Sequence, residues 1–138
     1  MRICVIDGLG GGIGSVVVRR IREAFQEKVE VVALGTNGIA TAQMMKAGAN
    51  IGASGENAIV QTVPSAHVIV GPLGIVLAHA MTGEITPKMA EAIAASPAKK
   101  LLLPLTRENV EVVGVVREPL PHLVEKIIMI IELSQHPL

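Results

Sequence analysis

The protein has 138 residues and a mass of 14.4 kDa; twelve Lys and Arg residues balance twelve Asp and Glu residues, and half of all residues are apolar. This length and composition are typical of one folded domain, residues 1–138, and exclude a disordered chain. Because there is no basic excess and Phe25 is the only aromatic residue, we expect no nucleic-acid binding.

The first half of the chain alternates short apolar runs with helical patterns. Residues 3–6 are uninterruptedly apolar and are followed by Asp7-Gly8, which is typical of a strand buried on both faces. An apolar stripe at helical spacing then predicts a helix over 14–27. The same two patterns predict a strand over 29–34 and a helix over 39–47.

The second half is less regular but continues the alternation. The predicted elements, in chain order, are a short helix over 55–62 within an otherwise unclear stretch, a strand over 68–70, one or two helical turns over 75–81, a helix over 87–95 that begins at the cap Thr86-Pro87, strands over 101–103 and 110–116, and a helix over 119–133.

Strands separated by helices predict a single-domain, Rossmann-like three-layer α/β/α sandwich with a mostly parallel sheet of about five strands. One connection departs from this pattern, because only residues 104–109 separate the last two predicted strands. A parallel crossover needs about a dozen residues or more. We therefore expect the strand over 110–116 to lie antiparallel at an edge of the sheet.

The predicted helix over 119–133 is apolar on more than one side, since residues 127–131 form an unbroken apolar run. A surface helix of a monomer shows a single apolar stripe. We therefore expect a homodimer contact through this helix, at which Ile128→Glu would give a monomer. The alternative is a helix packed partly under residues 35–66.

The most informative stretch is DGLGGGIGS over residues 7–15, which joins the first strand to the first helix. The first amides of a helix have no partners within it and carry partial positive charge, so they attract anions. Glycines let a ligand approach the backbone closely. The stretch therefore predicts a phosphate or nucleotide site, or alternatively a tight turn for close helix packing. The candidate contacts are Asp7, Gly8, Gly10, Gly11, Gly12, Ile13, Gly14 and Ser15.

Further candidates follow the other strands, because ligands of open α/β sheets bind at the carboxyl ends of the strands. They are Gly35, Thr36, Asn37, Gly71, Pro72, Arg107 and Asn109. Arg107 could pair with a phosphate. Dinucleotide-binding folds that bind NAD carry an Asp or Glu at the end of the second strand, where this chain has Gly35-Thr36-Asn37. The ligand is predicted to be NAD(P) or another nucleotide or phosphate-bearing small molecule.

No catalytic set stands out from the sequence. His79, Glu56 or Asp7 could transfer protons in a small oxidoreductase or transferase, although each also has a structural interpretation. Asp7 could hold Mg²⁺ or bond its own backbone in an Asp-Gly turn. The histidines show no metal-ligand spacing, so no metal site is predicted.

The single cysteine, Cys4, lies in the first apolar run and excludes an internal disulfide. We interpret it as a buried, inert thiol. We expect no secretory leader, no membrane-spanning segment and a cytoplasmic setting.

The spacing Gly8-x-x-x-Gly12-x-Gly14 resembles the fingerprint of short-chain dehydrogenases. Those enzymes transfer protons with a Tyr-x-x-x-Lys pair. This chain has no tyrosine, so the resemblance does not extend to their chemistry.

Across its length the sequence resembles a small bacterial family known as a domain of unknown function. The stretches that carry this resemblance are VIDG at 5–8 with its glycine loop, KAGA at 46–49, GENAI at 55–59, GEITP at 83–87 and PLPHL at 119–123. The resemblance implies a Rossmann-like domain and no particular activity. Three hypotheses follow: a nucleotide- or phosphometabolite-binding protein with a binding or regulatory role, a small enzyme, and a homodimeric interaction module without a small ligand.

Overall fold

A computed structural model describes residues 1–135 of the chain. Within this range five strands alternate with five α-helices. In chain order these are β1 (Arg2–Asp7), α1 (Gly12–Phe25), β2 (Glu30–Gly35), α2 (Gly38–Lys46), β3 (Ile51–Ser54), α3 (Glu56–Thr62), β4 (Val68–Pro72), α4 (Pro87–Ala95), β5 (Lys99–Leu103) and α5 (Leu120–Gln135). Short 3₁₀ turns span Gln26–Lys28, Val63–Ser65 and Leu73–Val76.

The strands form one sheet in the order β3-β2-β1-β4-β5, and every pairing is parallel. This confirms the predicted α/β fold with a parallel sheet. The predicted antiparallel edge strand over 110–116 is wrong. A turn interrupts it, since Gly114 has φ 89° and the Val115 amide donates to the Val112 carbonyl at 3.3 Å. Valine-rich runs favour strands only where they find a partner and a surface to pack on.

The edge strand β3 was not predicted, because its sequence Ile-Gly-Ala-Ser has only one residue with strong strand preference. Gly52 allows helix α2 to pack closely on this strand. A Cβ atom at Gly52 would lie 2.8 Å from both Met45 Sδ and Thr41 Cγ2 of α2. The missing side chain lets α2 lie close against the sheet, and this requirement comes from the tertiary structure.

Two apolar layers cover the sheet, and β1 contributes to both because its side chains alternate between the faces. Ile3 and Val5 pack in a cluster with α1, α2 and α5. Cys4 and Ile6 pack in a second cluster with α3 and α4. Burial raises the pKa of the Cys4 thiol to about 11, and the interpretation of Cys4 as a buried thiol is confirmed.

Helix α5 packs against α1 through one buried face, formed by Leu123, Val124, Ile127, Ile128 and Ile131. At the margin of this contact, Arg20 Nε donates to Glu125 Oε1 at 2.6 Å. The outer face leaves Met129 62% and Leu133 71% exposed. The apolar run therefore divides between the core and the surface, and Ile128 lies on the core side. In the described part of the chain, no helix has the length and apolar character that crossing a membrane requires.

Candidate functional site

A cleft of about 500 Å³ opens at the carboxyl ends of β1, β4 and β5. From β1 the chain proceeds outward to β2 and β3, and then returns to β4 and β5 on the other side. The order therefore reverses between β1 and β4, which is where open α/β sheets bind their ligands. The walls come from residues within 7–13, 72–82 and 104–108, together with Arg117.

The cleft brings together part of the predicted site. The predicted residues that line it are Asp7, Gly8, Gly10, Gly12, Ile13, Pro72 and Arg107. Those outside its lining are Gly11, Gly14, Ser15, Gly35, Thr36, Asn37, Gly71 and Asn109. Three loops thus converge as expected, whereas the loop after β2 lies to one side. Ligand contact by any of these residues remains a prediction.

The glycines of the first loop fall into two groups. Gly8, Gly11 and Gly14 are buried, and Gly11 has φ 72°, which favours glycine. A Cβ atom at Gly14 would lie 2.6 Å from Met44 Sδ, so the missing side chain lets α1 pack closely against α2. Gly10 and Gly12 are exposed, and a Cβ atom on either would meet nothing within 4 Å. The first group builds the loop and the second faces open space.

The main-chain amides divide in a similar way. The Gly8 and Gly14 amides donate to the Asp7 carboxylate at 2.8 and 2.7 Å, and the Gly11 amide donates to the Gly8 carbonyl at 2.9 Å. Within residues 1–135, the amides of Gly10 and Gly12 donate to no protein acceptor. Free donors and open glycine faces therefore occur at the same two residues.

Asp7 is buried beneath this loop, with 4% of its surface exposed. Burial raises the pKa of its carboxyl above the ordinary value, while the hydrogen bonds from the Gly14 and Gly8 amides act in the opposite direction. Each carboxylate oxygen accepts one of these bonds. These bonds form the Asp-Gly turn that was predicted above as the alternative to a Mg²⁺ ligand. Across residues 1–135, no three His, Cys, Asp or Glu side chains are grouped in a way that could hold a metal ion.

The end of β2 is occupied by Glu84, which comes from the loop after β4. Glu84 Oε1 accepts hydrogen bonds from the Leu9 amide at 2.9 Å, from Asn37 Nδ2 at 2.9 Å and from the Thr36 hydroxyl. Burial works to raise the pKa of the Glu84 carboxyl, but these three bonds outweigh it and leave the pKa below its ordinary value. Asn37 also caps α2 by accepting from the Ala40 amide at 2.9 Å.

Two arginines line the cleft on the β5 side, Arg107 and Arg117. Both are exposed, and they flank the valine-rich turn of residues 110–116. Arg117 was missed, because a strand over 110–116 would have carried it away from the cleft. The feature of the sequence that could have identified Arg117 is that one arginine lies near each end of the same valine-rich run. The neighbouring Glu108 accepts from the Met81 amide at 3.2 Å and so ties this loop to the one after β4.

The structure does not bring the proton-transfer candidates together. His79 is exposed with φ 70° and is not part of the cleft lining. Glu56 accepts a hydrogen bond from the Thr86 hydroxyl at the start of α4, at 2.5 Å. Only Asp7 of the three lines the cleft, and its two oxygens already bond amides.

Residues 2–135 match the family described as a domain of unknown function (DUF3842), and the chain belongs to this family. The family resemblance seen in the sequence is thus confirmed, and the parallel α/β sheet agrees with the Rossmann-like fold that it implied. Searches of curated proteins and of solved structures gave no match.

Proposed function

We propose that the cleft binds a nucleotide or another phosphate-bearing metabolite, and that the protein acts through this binding in a binding or regulatory role. The observation that carries the proposal is the pair Gly10 and Gly12. Their amides have no protein acceptor within residues 1–135, and their missing side chains leave the cleft open beside them. A phosphate oxygen needs both features, a donor and room to reach it.

The charges of the cleft support an anionic ligand. Helix α1 begins at Gly12, so the partial positive charge of its first turn is directed to this place. Arg107 and Arg117 add two cations on the opposite wall. Arginine binds phosphate through two parallel hydrogen bonds. The lining also includes two carboxylates, Asp7 and Glu108, and both already accept hydrogen bonds from main-chain amides, Asp7 from Gly8 and Gly14 and Glu108 from Met81.

The test is a thermal-shift panel of NAD(H), NADP(H), ATP, GTP, mononucleotides, sugar phosphates and a nucleotide sugar. A ligand at about one hundred times its dissociation constant stabilises a protein by roughly 2.7 kcal/mol. For a domain of this size that amounts to several degrees of melting temperature. We expect at least one member of the panel to give such a shift. Gly12→Val is expected to abolish it, because the new side chain projects into the phosphate position.

Gly38→Val is the matched control. Gly38 is the first residue of α2, and a Cβ atom there also meets nothing within 4 Å, but it does not line the cleft. This variant should retain the full ligand-induced shift. The proposal is wrong if no ligand shifts the melting temperature, or if Gly12→Val responds like the unmodified protein.

We propose in addition that two copies associate through the outer face of α5. The exposed side chains of Met129 and Leu133 lie one helical turn apart there, and burying them in a symmetric contact would remove apolar surface from water. The double variant Met129→Glu, Leu133→Glu is expected to sediment as a monomer where the unmodified protein sediments as a dimer. Val113→Glu, at a residue 93% exposed elsewhere, serves as control. A monomeric unmodified protein would refute this second proposal.

A further inference from the structure

The loop after β4 reaches across the sheet and lies on top of the first glycine of the β1 loop. A Cβ atom at Gly8 would lie 2.6 Å from Met81 Sδ and 2.9 Å from Glu84 Oε1. Met81 and Glu84 are therefore in direct contact with the β1 loop. They separate the end of β2 from the cleft, whose lining includes Met81 and Thr82 but no residue of β2 or of the loop that follows it.

Hydrogen bonds on both sides hold residues 81–84 in this position. On the β2 side, Glu84 Oε1 holds the Leu9 amide, Thr36 and Asn37. On the β5 side, the Met81 amide donates to Glu108. Within the loop, the Glu84 amide donates to the Met81 carbonyl at 3.1 Å. The polar groups at the end of β2 are thus satisfied by the protein itself.

The backbone of the same segment is held in an uncommon conformation. Met81 and Thr82 have φ 58° and 57°, and Gly83 follows with φ 88°. Left-handed conformations at residues other than glycine carry a cost and persist where the surroundings fix them. Here the surroundings are the contacts with Gly8 and Glu108 described above. The closed arrangement is therefore a built feature of the loop.

We infer that residues 81–84 close off the end of β2, with Glu84 as the residue that excludes dinucleotides, so that the site takes a compact ligand with one phosphate-bearing end, such as a mononucleotide or a sugar phosphate. Dinucleotides in Rossmann folds extend across the end of β2, where an acidic residue or an arginine contacts the ribose or its phosphate. A ligand in that position here would have to displace Glu84. The open direction leads instead over β4 and β5, toward Arg107 and Arg117.

This inference rests on the proposed function, and calorimetric titration of the full chain tests it. The probes are NAD on one side, and AMP, GMP, nicotinamide mononucleotide and ribose 5-phosphate on the other. We expect at least one compact probe to bind thirtyfold or more tightly than NAD. If NAD binds as tightly as the best compact probe and loses its binding in Gly12→Val, the inference fails while the proposed function stands. If neither NAD nor any other phosphorylated probe binds, both fail.

Two substitutions at Glu84 examine the exclusion directly. Glu84→Ala removes the carboxylate from the end of β2, and the ratio of the affinity for NAD to that for the compact probe is expected to rise at least tenfold. Glu84→Gln keeps an oxygen acceptor in the same place and should still exclude NAD. An unchanged ratio of the two affinities in Glu84→Ala would overturn the role of Glu84. The comparison of NAD with the compact probes uses the unmodified protein, so it decides the inference even if Glu84→Ala fails to fold.

Discussion

Gly14→Val is expected to destabilise the protein by about 3 kcal/mol, near the upper end of the usual cost of overpacking a core. The new Cβ atom would lie 2.6 Å from Met44 Sδ and 2.9 Å from Asp7 Cβ. Met44 is completely buried, so its side chain cannot move away into solvent. A shift of α1 would instead stretch the 2.7 Å hydrogen bond from the Gly14 amide to Asp7.

The measurement is urea unfolding of Gly14→Val beside Gly12→Val. Both variants place the same side chain in the first turn of α1, so they share any effect of valine on the helix itself. Only Gly14 faces the core, and Gly12→Val should stay within about 1 kcal/mol of the unmodified protein. In melting temperature the loss at Gly14 amounts to about 10 °C. Equal stability of the two variants would show that α1 does not pack on α2 and Asp7 as described.

The contrast between these glycines marks how far the sequence could predict the site. The strand, the glycine loop and the following helix are all local patterns, and the sequence could therefore predict the strand–loop–helix unit at the end of β1, where we propose the anion site. Which glycine is structural depends on residues distant in the chain. Gly11 faces the backbone of Ala40, and Gly14 faces Met44. No spacing rule within residues 8–14 contains that information, and the resemblance to the dehydrogenase fingerprint groups the exposed Gly12 with the buried Gly8 and Gly14.

The pairing of Glu84 with the end of β2 is a second feature that the sequence could not show. Thr36 and Asn37 were sensible candidates for a ribose, because they follow a parallel strand at the ligand edge. Their partner lies 48 residues from Thr36 in the sequence, in a loop held by left-handed residues that the sequence pattern does not reveal. A polar residue at a strand end is available to a ligand only if the protein leaves it unpaired, and this is a tertiary property.

The fold was more predictable where both faces of a strand are buried. Central strands such as β1 and β4 need apolar side chains in both directions, and this produces the continuous runs at 3–6 and 68–70. The edge strand β3 lacks that requirement and reads as a loop. Conversely, residues 110–116 have the composition of a strand but pair with no strand of the described range 1–135, and Val113 is 93% exposed. Apolar composition thus predicted central strands well and peripheral segments poorly.

Ile128→Glu is expected to unfold the protein, or to leave it at least about 4 kcal/mol less stable. Ile128 is 6% exposed in the cluster between α5, α1 and the sheet. Glutamate there would lose the apolar contacts and place a carboxylate among buried aliphatic side chains. Since whole domains have only about 5–15 kcal/mol of stability, a loss of this size removes much or all of it.

Val113→Glu is the matched control for Ile128→Glu, because Val113 is also aliphatic, is 93% exposed and lies outside the contact proposed for α5, and a surface substitution usually changes stability by less than about 0.5 kcal/mol. Thermal unfolding followed by circular dichroism separates the two, with a lost or strongly lowered transition expected only for Ile128→Glu. This result also decides how α5 is to be tested for self-association. A monomer obtained by substituting Ile128 would report unfolding, whereas substitutions at Met129 and Leu133 report the outer surface. If Ile128→Glu melted like the unmodified protein, Ile128 would not be in the core, and the apolar run of α5 would have to be buried by another molecule.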